Sequence, residues 1–178
     1  MRKRKRLFWR LFPSYLLITL LALFAVSWFA QDSLHDFFLE QIASDLEARA
    51  HLLEQRVTAY LAPEKEAHID RICKENGRRS ATRITVILPS GKVIGDSEED
   101  PLKMESHLYR PEVIAALDGQ TGSAIRHSST LKQDMMYVAV RVDGDDGPLG
   151  IVRVALPLSS TNAQITQLRR TLIIGALV

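Results

Sequence analysis

The chain of 178 residues contains one cysteine, Cys73, so it can form neither an internal disulfide nor a cysteine-based metal cluster. It also lacks a G-x-S-x-G motif, the local signature of many serine hydrolases. His127, Ser128 and Asp134 have the composition of a catalytic triad, but such residues co-occur by chance in most chains. The sequence therefore predicts no catalytic residues and no resident cofactor in this chain.

An acidic stretch is the place where the sequence suggests a bound cation. It comprises Asp96, Glu98, Glu99, Asp100 and Glu105, with His107 nearby. Carboxylate oxygens suit hard cations such as Ca²⁺, but the spacing of these residues matches no EF-hand loop. A solvated loop is the favoured interpretation, and no metal site is predicted.

Acidic residues are absent before Asp32, whereas six of the 23 basic residues lie within the first ten positions. From Asp32 to Arg170, the remaining 17 basic residues stand against all 21 acidic residues, an acidic excess of four. A basic cluster can bind nucleic acid, but this one directly precedes an uncharged apolar run. We interpret it as a membrane-topology signal and expect no nucleic-acid partner.

The apolar run extends from Leu11 to Ala30. Twenty helical residues span roughly 30 Å, the thickness of the hydrocarbon core of a bilayer. By the positive-inside rule, residues 1–10 are a cytoplasmic basic N-terminus and residues 11–30 are a first transmembrane helix. We expect the membrane to be a bacterial inner membrane and the chain that follows the helix to be extracytoplasmic. The alternative is a signal peptide cleaved near Ala25-Val26-Ser27, which the length of the run disfavours.

A second apolar run, Thr171–Val178, closes the sequence. Eight residues would cover about 12 Å as a helix, which is too short to cross a bilayer. We expect residues 171–178 to be the truncated start of a second transmembrane helix. Residues 159–170 are predicted to form a linker helix that leads into it.

Residues 31–62 are predicted to form a stalk helix, because Gly and Pro are absent from Gln31 to Leu61 and apolar residues recur every three or four positions. This apolar stripe consists of Leu39, Ile42, Leu46, Ala50, Leu53, Val57 and Tyr60. The stripe could pack on the core of its own domain, against a second copy of the helix, or against both. A long helix that leaves a membrane favours a homodimer.

Residues 63–158 are predicted to form the extracytoplasmic domain. A second helix begins at Pro63 and stops at Asn76-Gly77, a hairpin follows at 83–96, and a short helix lies at 110–117. Three further strands are expected at 122–128, 135–142 and 149–158. The sum is an α+β fold with a five-stranded antiparallel sheet, the helices on one face and the connecting loop over the other.

The hairpin Arg83–Ser97 resembles the pattern R-[IV]-T-[VI]-[IV]-x-x-x-G-x-V-x-x-D-S of PAS-like, single-Cache sensor domains. More specifically, the stretch from Arg83 to Leu158 is similar to the extracytoplasmic region of PhoR-type, phosphate-regulon-like sensor histidine kinases. The resemblance implies a PAS/Cache-like sensor domain, with a long N-terminal helix, that is flanked by transmembrane helices.

The resemblance further implies that the chain is the signal-input module of a homodimeric two-component sensor kinase. The missing C-terminal part would bind ATP and Mg²⁺ and pass a phosphoryl group to a response regulator. Neither a glycine-rich nucleotide loop nor an H-E-x-x-P-like phosphoacceptor box occurs in the chain. The alternatives are the input module of a chemoreceptor or cyclic-dinucleotide enzyme, and a membrane-anchored extracytoplasmic binding or scaffold protein.

In this fold class a ligand lies between the sheet and its covering loop. Arginine and tyrosine in such a cavity can hold a carboxylate or phosphate by charge-assisted hydrogen bonds. The candidate pocket residues are Tyr109, Arg110, Arg126, His127 and Tyr137. The alternative is that these are surface arginines and core tyrosines, and that the sensor responds to a partner protein rather than to a small anion.

Overall fold

The computed structural model describes residues 2–61, 65–145 and 147–158. The chain divides into two compact units, residues 1–41 and residues 42–178. The predicted break at Ala62-Pro63, the linker helix at 159–170 and the second membrane segment at 171–178 lie outside the described residues.

The first unit is helical and belongs to helix α1, which extends over Arg2–Thr58. Within it, Phe12–Ala30 is long and apolar enough to cross a membrane, and its side chains are all exposed. An exposed apolar helix of this length is poorly solvated by water, whereas a bilayer matches its length and composition. The stretch coincides closely with the predicted segment 11–30.

The helices of the second unit bury the apolar stripe that the sequence predicts. On the C-terminal part of α1, Leu46, Ala50, Leu53 and Val57 are buried. Helix α1 ends at Thr58, a few residues before the predicted end at 62. Helix α2 (Glu66–Ser80) buries Ile69 and Cys73, and burial raises the pKa of the Cys73 thiol, which therefore stays protonated.

The predicted stop of the second helix at Asn76-Gly77 is wrong, because α2 continues to Ser80. Gly77 lies inside the helix at a point of close packing, where an added Cβ would collide with the side chain of Ser97. The helix instead ends at Ala81, whose backbone is left-handed with φ 49° and whose N–H donates to the carbonyl of Gly77. This glycine therefore serves helix packing rather than helix termination.

Five strands form one antiparallel sheet in the order β2-β1-β5-β4-β3. The strands are β1 (Arg83–Ile87), β2 (Val93–Asp96), β3 (Gly122–Ser128), β4 (Gln133–Gly144) and β5 (Gly147–Pro157). The β4–β5 ladder continues through the pairs Asp143–Pro148 and Gly144–Gly147. It therefore reaches into the gap between the strands predicted at 135–142 and 149–158.

The two faces of the sheet have different covers. Ile84 and Val154 face α1 and α2, because they share the walls of one cavity with Leu53 and Asn76. On the opposite face, Ile87 and Ile151 pack against α3 (Pro111–Leu117). The fold is therefore the predicted α+β arrangement, with the long helices on one face and the 97–110 loop and α3 on the other.

Candidate functional site

A cavity of about 300 Å³ lies between the α3 face of the sheet and the loop that precedes α3. Its lining residues are Arg83, Met104, His107, Arg110, Arg126, His127, Ser128, Ser129, Thr130, Tyr137 and Arg153. Four of the five predicted pocket residues are among them: Arg110, Arg126, His127 and Tyr137.

The fifth predicted residue, Tyr109, does not line the cavity and is 84 % exposed. Arg110 has an extended backbone (φ −77°, ψ 132°) immediately before α3. Successive side chains of an extended segment point to opposite sides. When Arg110 faces the cavity, its neighbour Tyr109 consequently faces solvent.

Tyr137 lies between two guanidinium groups at the floor of the cavity. The Cζ atom of Arg126 is 4.3 Å from the centre of the Tyr137 ring, and that of Arg153 is 5.0 Å from it. A cation over an aromatic face is stabilised by the ring quadrupole, and more strongly where water is excluded. The ring therefore helps to hold both guanidinium groups in place.

Asp96 stands behind one side of the cavity wall, where it holds Arg83. Its carboxylate is fully buried, accepts hydrogen bonds from Arg83 Nε at 3.2 Å, and accepts one from Thr85 Oγ1 at 2.7 Å. It also accepts from the backbone N–H groups of Glu98 and Glu99 at 2.9 and 3.0 Å. These hydrogen bonds turn the chain at the end of β2 and hold the start of the 97–110 loop, which covers the cavity.

Glu112, in the first turn of α3, stands behind the other side of the cavity wall. It is fully buried and accepts a two-pronged contact from Arg126, with Nη2–Oε1 at 2.7 Å and Nε–Oε2 at 3.3 Å. Arg153 Nη1 donates to the same Oε1 at 3.3 Å, and Arg153 Nη2 donates to Thr85 Oγ1 at 3.1 Å. Glu112, Arg153 and Thr85 thus join the two sides of the cavity into one buried network.

The network keeps its charges at neutral pH. Burial raises the pKa of the Glu112 carboxyl, but the hydrogen bonds from Arg126 and a backbone group, with the charge of Arg153, hold it below its ordinary value. Burial lowers the pKa of Arg153 to about 10, with Glu112 opposing that change. Both groups are therefore ionised, and the pair is a true buried ion pair.

The cavity carries an excess of positive charge. Four guanidinium groups line it, from Arg83, Arg110, Arg126 and Arg153, and two buried carboxylates, Asp96 and Glu112, stand against them. Within the described part of the chain, the half-buried guanidinium of Arg110 has no hydrogen-bond or ion-pair partner. Arg153 Nε is a buried donor that likewise has no partner among the described residues.

His107 contributes a buried, neutral ring to the cavity wall. Burial and the charges of Arg153 and Arg110 lower its pKa to about 3. Its Nδ1 atom is buried and has no hydrogen-bond partner among the described residues. Its backbone N–H donates to the carbonyl of Gly91 at 2.9 Å, which ties the covering loop to the β1–β2 turn.

The residues that suggested a triad lie at the rim and are not arranged for catalysis. His127 Nδ1 is 3.0 Å from Asp134 Oδ1, and both side chains are mostly exposed. The Ser128 hydroxyl accepts a hydrogen bond from the backbone N–H of Leu131 at 3.1 Å. Within the described residues, no group of three metal-ligating side chains is found, and Asp96 of the acidic stretch points into the Arg83 pair instead.

Sequence reasoning missed Arg83, His107, Arg153 and the two carboxylates Asp96 and Glu112. A signal was present for Arg153, which interrupts the apolar run Ile151–Leu156. A charged side chain that alternation places on a buried face requires a partner or a ligand. For Glu112 the sequence offered no such signal, because a glutamate in the first turn of a helix is ordinary.

A second cavity, of about 220 Å³, lies on the other face of the sheet between α1 and α2. Its walls include Leu52, Leu53, Ile84 and Val154. The Arg49 guanidinium at its edge is already bonded to the Ser80 carbonyl at 3.0 Å and to Thr82 Oγ1 at 2.7 Å. Arg79 also lines this cavity, but Arg49 is satisfied and the accessible walls are largely apolar, so it is the weaker candidate for a polar ligand.

No model of a protein family matches the sequence, and no curated protein matches it. Solved structures do match the fold. The ligand-binding domain of the Campylobacter jejuni chemoreceptor Tlp3, in complex with 4-methylisoleucine, aligns with a TM-score of 0.58 and 18% identity. The alignment covers 68% of this chain and 53% of that chain, so this chain spans about half the length of that domain.

Two further matches are sensor domains. The E. coli DcuS sensor domain aligns with a TM-score of 0.57 and 20% identity, over 72% of this chain and 97% of that one. The sensor domain of the V. cholerae histidine kinase DctB aligns with a TM-score of 0.53 and 21% identity, over 70% of this chain and 53% of that one. The described domain therefore has the Cache-like fold found in sensor domains of both chemoreceptors and histidine kinases.

Proposed function

We propose that this chain is the signal-input module of a membrane-bound receptor whose extracytoplasmic domain binds a small anion in the arginine-lined cavity. The observation that carries the proposal is the guanidinium of Arg110, which has no partner among the described residues and lies in a cavity with excess positive charge. Burying an arginine costs several kcal/mol in desolvation, and both Arg83 and Arg153 are buried. Binding of an anion would offset part of this cost. The Tlp3 domains that match this fold bind valine and 4-methylisoleucine, which also carry a carboxylate.

A short set of contacts connects the cavity to α1. The backbone of Glu112 packs so closely on Gly122 that an added Cβ would collide with the Glu112 carbonyl. The preceding residue, Thr121, donates a hydrogen bond from Oγ1 to Glu47 Oε1 on α1 at 2.6 Å. A ligand that displaces α3 would therefore change the contact between β3 and α1. We propose that this contact has two arrangements and that ligand binding shifts the equilibrium between them.

The output that we propose is a sensor histidine kinase, in which a kinase domain would bind ATP and Mg²⁺ and signal to a response regulator. The resemblance of Arg83–Leu158 to PhoR-type kinases and the fold shared with DctB support this choice. The fold shared with Tlp3 favours the chemoreceptor as the second candidate. The coding sequence after Val178 separates them: a phosphoacceptor helix and an ATP-binding domain support the kinase, and a chemoreceptor signalling helix overturns it.

The membrane arrangement and the homodimer belong to the same proposal. Phe12–Ala30 would be the anchor, with the basic N-terminus inside and the sensor domain outside the cell membrane. In the first unit, Leu34 and Phe37 lie three residues apart on α1 and are 51 % and 59 % exposed. Side chains three apart share a helix face, so a second copy of α1 would cover them.

Anion binding is tested by calorimetry on the whole chain in detergent micelles, with sulfate, succinate and L-valine as probes. We expect saturable binding of at least one probe, and a loss of about tenfold or more in affinity on Arg110→Gln, because a charge-assisted hydrogen bond contributes about 1.5–3 kcal/mol. Arg71→Gln, on the exposed surface of α2, is the matched control and should bind like the wild type. Absence of binding by all three probes, or equal losses in both variants, contradicts the proposal.

A further inference from the structure

Glu112 is a fully buried carboxylate that does not itself line the cavity. It stands behind the wall and contacts two of the guanidinium groups that do, those of Arg126 and Arg153. Its side chain has no solvent contact, so its charge is not screened by water. Glu112 therefore acts on anything in the cavity as a fixed negative charge.

The charge of the cavity depends on this residue. Four guanidinium groups stand against the carboxylates of Asp96 and Glu112, which leaves an excess of two positive charges. His107 is neutral at pH 7 and adds no charge, and the exposed His127–Asp134 pair at the rim lies outside this count. Without Glu112 the excess would be three.

We propose that Glu112 sets the charge of the site by cancelling one guanidinium charge from behind the cavity wall, which weakens the binding of a dianion more than that of a monoanion. This inference rests on the proposed function, because it requires that the cavity binds an anion. Glu112 acts through Arg126 and Arg153 rather than on the ligand, so it is a positioning and charge-setting residue. A cavity of about 300 Å³ has room for an anion of a few heavy atoms that spans Arg110 and the Arg126–Arg153 pair.

A charge effect has a signature that packing does not share. The repulsion between Glu112 and a ligand is proportional to the ligand's charge. Removing the Glu112 charge therefore favours a dianion twice as much, in free energy, as a monoanion of the same shape. Because affinity depends exponentially on free energy, the fold-gain for the dianion should equal the square of the fold-gain for the monoanion.

The test is Glu112→Gln in the whole chain in micelles, with Glu75→Gln on the exposed surface of α2 as the control. Affinities are measured for two pairs of similar size that differ in charge, succinate with butyrate and sulfate with methanesulfonate. For Glu112→Gln, we expect the affinity for the monoanion of a pair that binds to rise about threefold. The affinity for the dianion of the same pair should rise about tenfold. The control should leave both affinities unchanged.

If Glu112→Gln changes the affinities for the two members of a pair by the same factor, or lowers both, the inference is overturned. The proposed function remains intact in that case. Absence of binding by both pairs to the wild-type chain overturns the inference and the proposed function together. If Glu112→Gln does not fold, Glu112→Asp keeps the charge on a shorter side chain. It should change both affinities by the same factor, and a factor that grows with ligand charge would contradict the proposal.

Discussion

On the sheet face that packs against α1 and α2, the buried side chains of β1, β4 and β5 are aliphatic, whereas the face toward α3 carries a network of buried charges. Ile84, Val138 and Val154 form one row across the first face. One residue along, Thr85, Arg153 and Ala139 form the corresponding row across the second. Adjacent positions of the same strands thus build a hydrophobic core on one side and a polar site on the other.

The two faces contribute differently to the stability of the fold. Burial of the aliphatic face stabilises the fold through removal of apolar surface from water, about 25 cal/mol per Å². Buried ion pairs contribute little net stability, because desolvation offsets most of their attraction. The charges that this face gathers therefore contribute little net stability, as expected for the anion site that we propose; they belong to Arg83, Arg126, Arg153, Asp96 and Glu112.

The largest expected effect comes from breaking the charge balance of the polar face. Asp96→Asn should lower the free energy of unfolding by about 4 kcal/mol, because the buried Arg83 guanidinium loses its counter-charge. Unfolding of the chain in micelles, followed by circular dichroism, measures this. Asp118→Asn, at the exposed end of α3, should cost less than about 0.5 kcal/mol. Similar losses for the two variants would contradict the described network.

The aliphatic face should be sensitive to volume and indifferent to anions. Ile84→Ala should cost about 3 kcal/mol of unfolding free energy, because it leaves a cavity in a core where the side chain is 1% exposed. Its affinity for the anion bound by the wild type should stay unchanged at a temperature where the variant is folded. A parallel loss of affinity would show that the two faces are not separable. Ile114→Ala, on the exposed side of α3, is the control.

The folding stability of the protein should also depend on pH, because His107 lies on the polar face. Because its pKa falls from about 6.5 to about 3 on folding, the unfolded chain binds a proton in that interval and the folded chain does not. Stability is then fully present above pH 6.5 and declines as pH falls toward 3. Between pH 6.5 and 5, the expected loss is about 2 kcal/mol. His107→Gln should remove it, and an identical slope in both proteins would refute this assignment.

The smallest effect is expected at the contact between β3 and α1. Thr121→Val removes the hydrogen bond to Glu47 and should cost about 1 kcal/mol of stability while leaving anion affinity unchanged. In the wild type, anion binding should alter hydrogen exchange of α1 amides near Glu47, and in the variant this response should vanish. Ser123→Ala, at an exposed position of β3 that does not line the cavity, is the control. A response that persists in Thr121→Val would exclude this contact as the coupling element.

The fold could largely be predicted because the relevant signals are local. The period of the apolar stripe at Leu46, Ala50 and Leu53 defines a helix face without reference to the rest of the chain. The hairpin predicted at 83–96 turns at Pro89-Ser90-Gly91, which are typical turn residues, and Gly91 has the positive φ of 86° that glycine readily adopts. Gly77 misled the prediction, because a glycine that permits close packing and a glycine that ends a helix look the same in sequence.

The site was predicted in part, and the missing members are those fixed by tertiary pairing. Arg110 and Arg126 were expected from their place on the cover and the edge strand. Glu112 and Arg153 lie 41 positions apart, and their ion pair follows from the approach of α3 to β5, which no local pattern encodes. Tyr109 is exposed, because the direction of a side chain in an irregular segment depends on the backbone of its neighbour.

The central claim is that the polar face is a preformed anion site and the aliphatic face is not. Nitrogen-15 spectra of the arginine Nε–H groups, recorded on the whole chain in micelles during a titration with sulfate and then with succinate, test it directly. We predict that the signals of Arg110 and Arg153 shift saturably with one dissociation constant, whereas the signal of Arg49 on the helical face does not move. Shifts that are absent, linear and unsaturated, or equal at Arg49 would contradict the account.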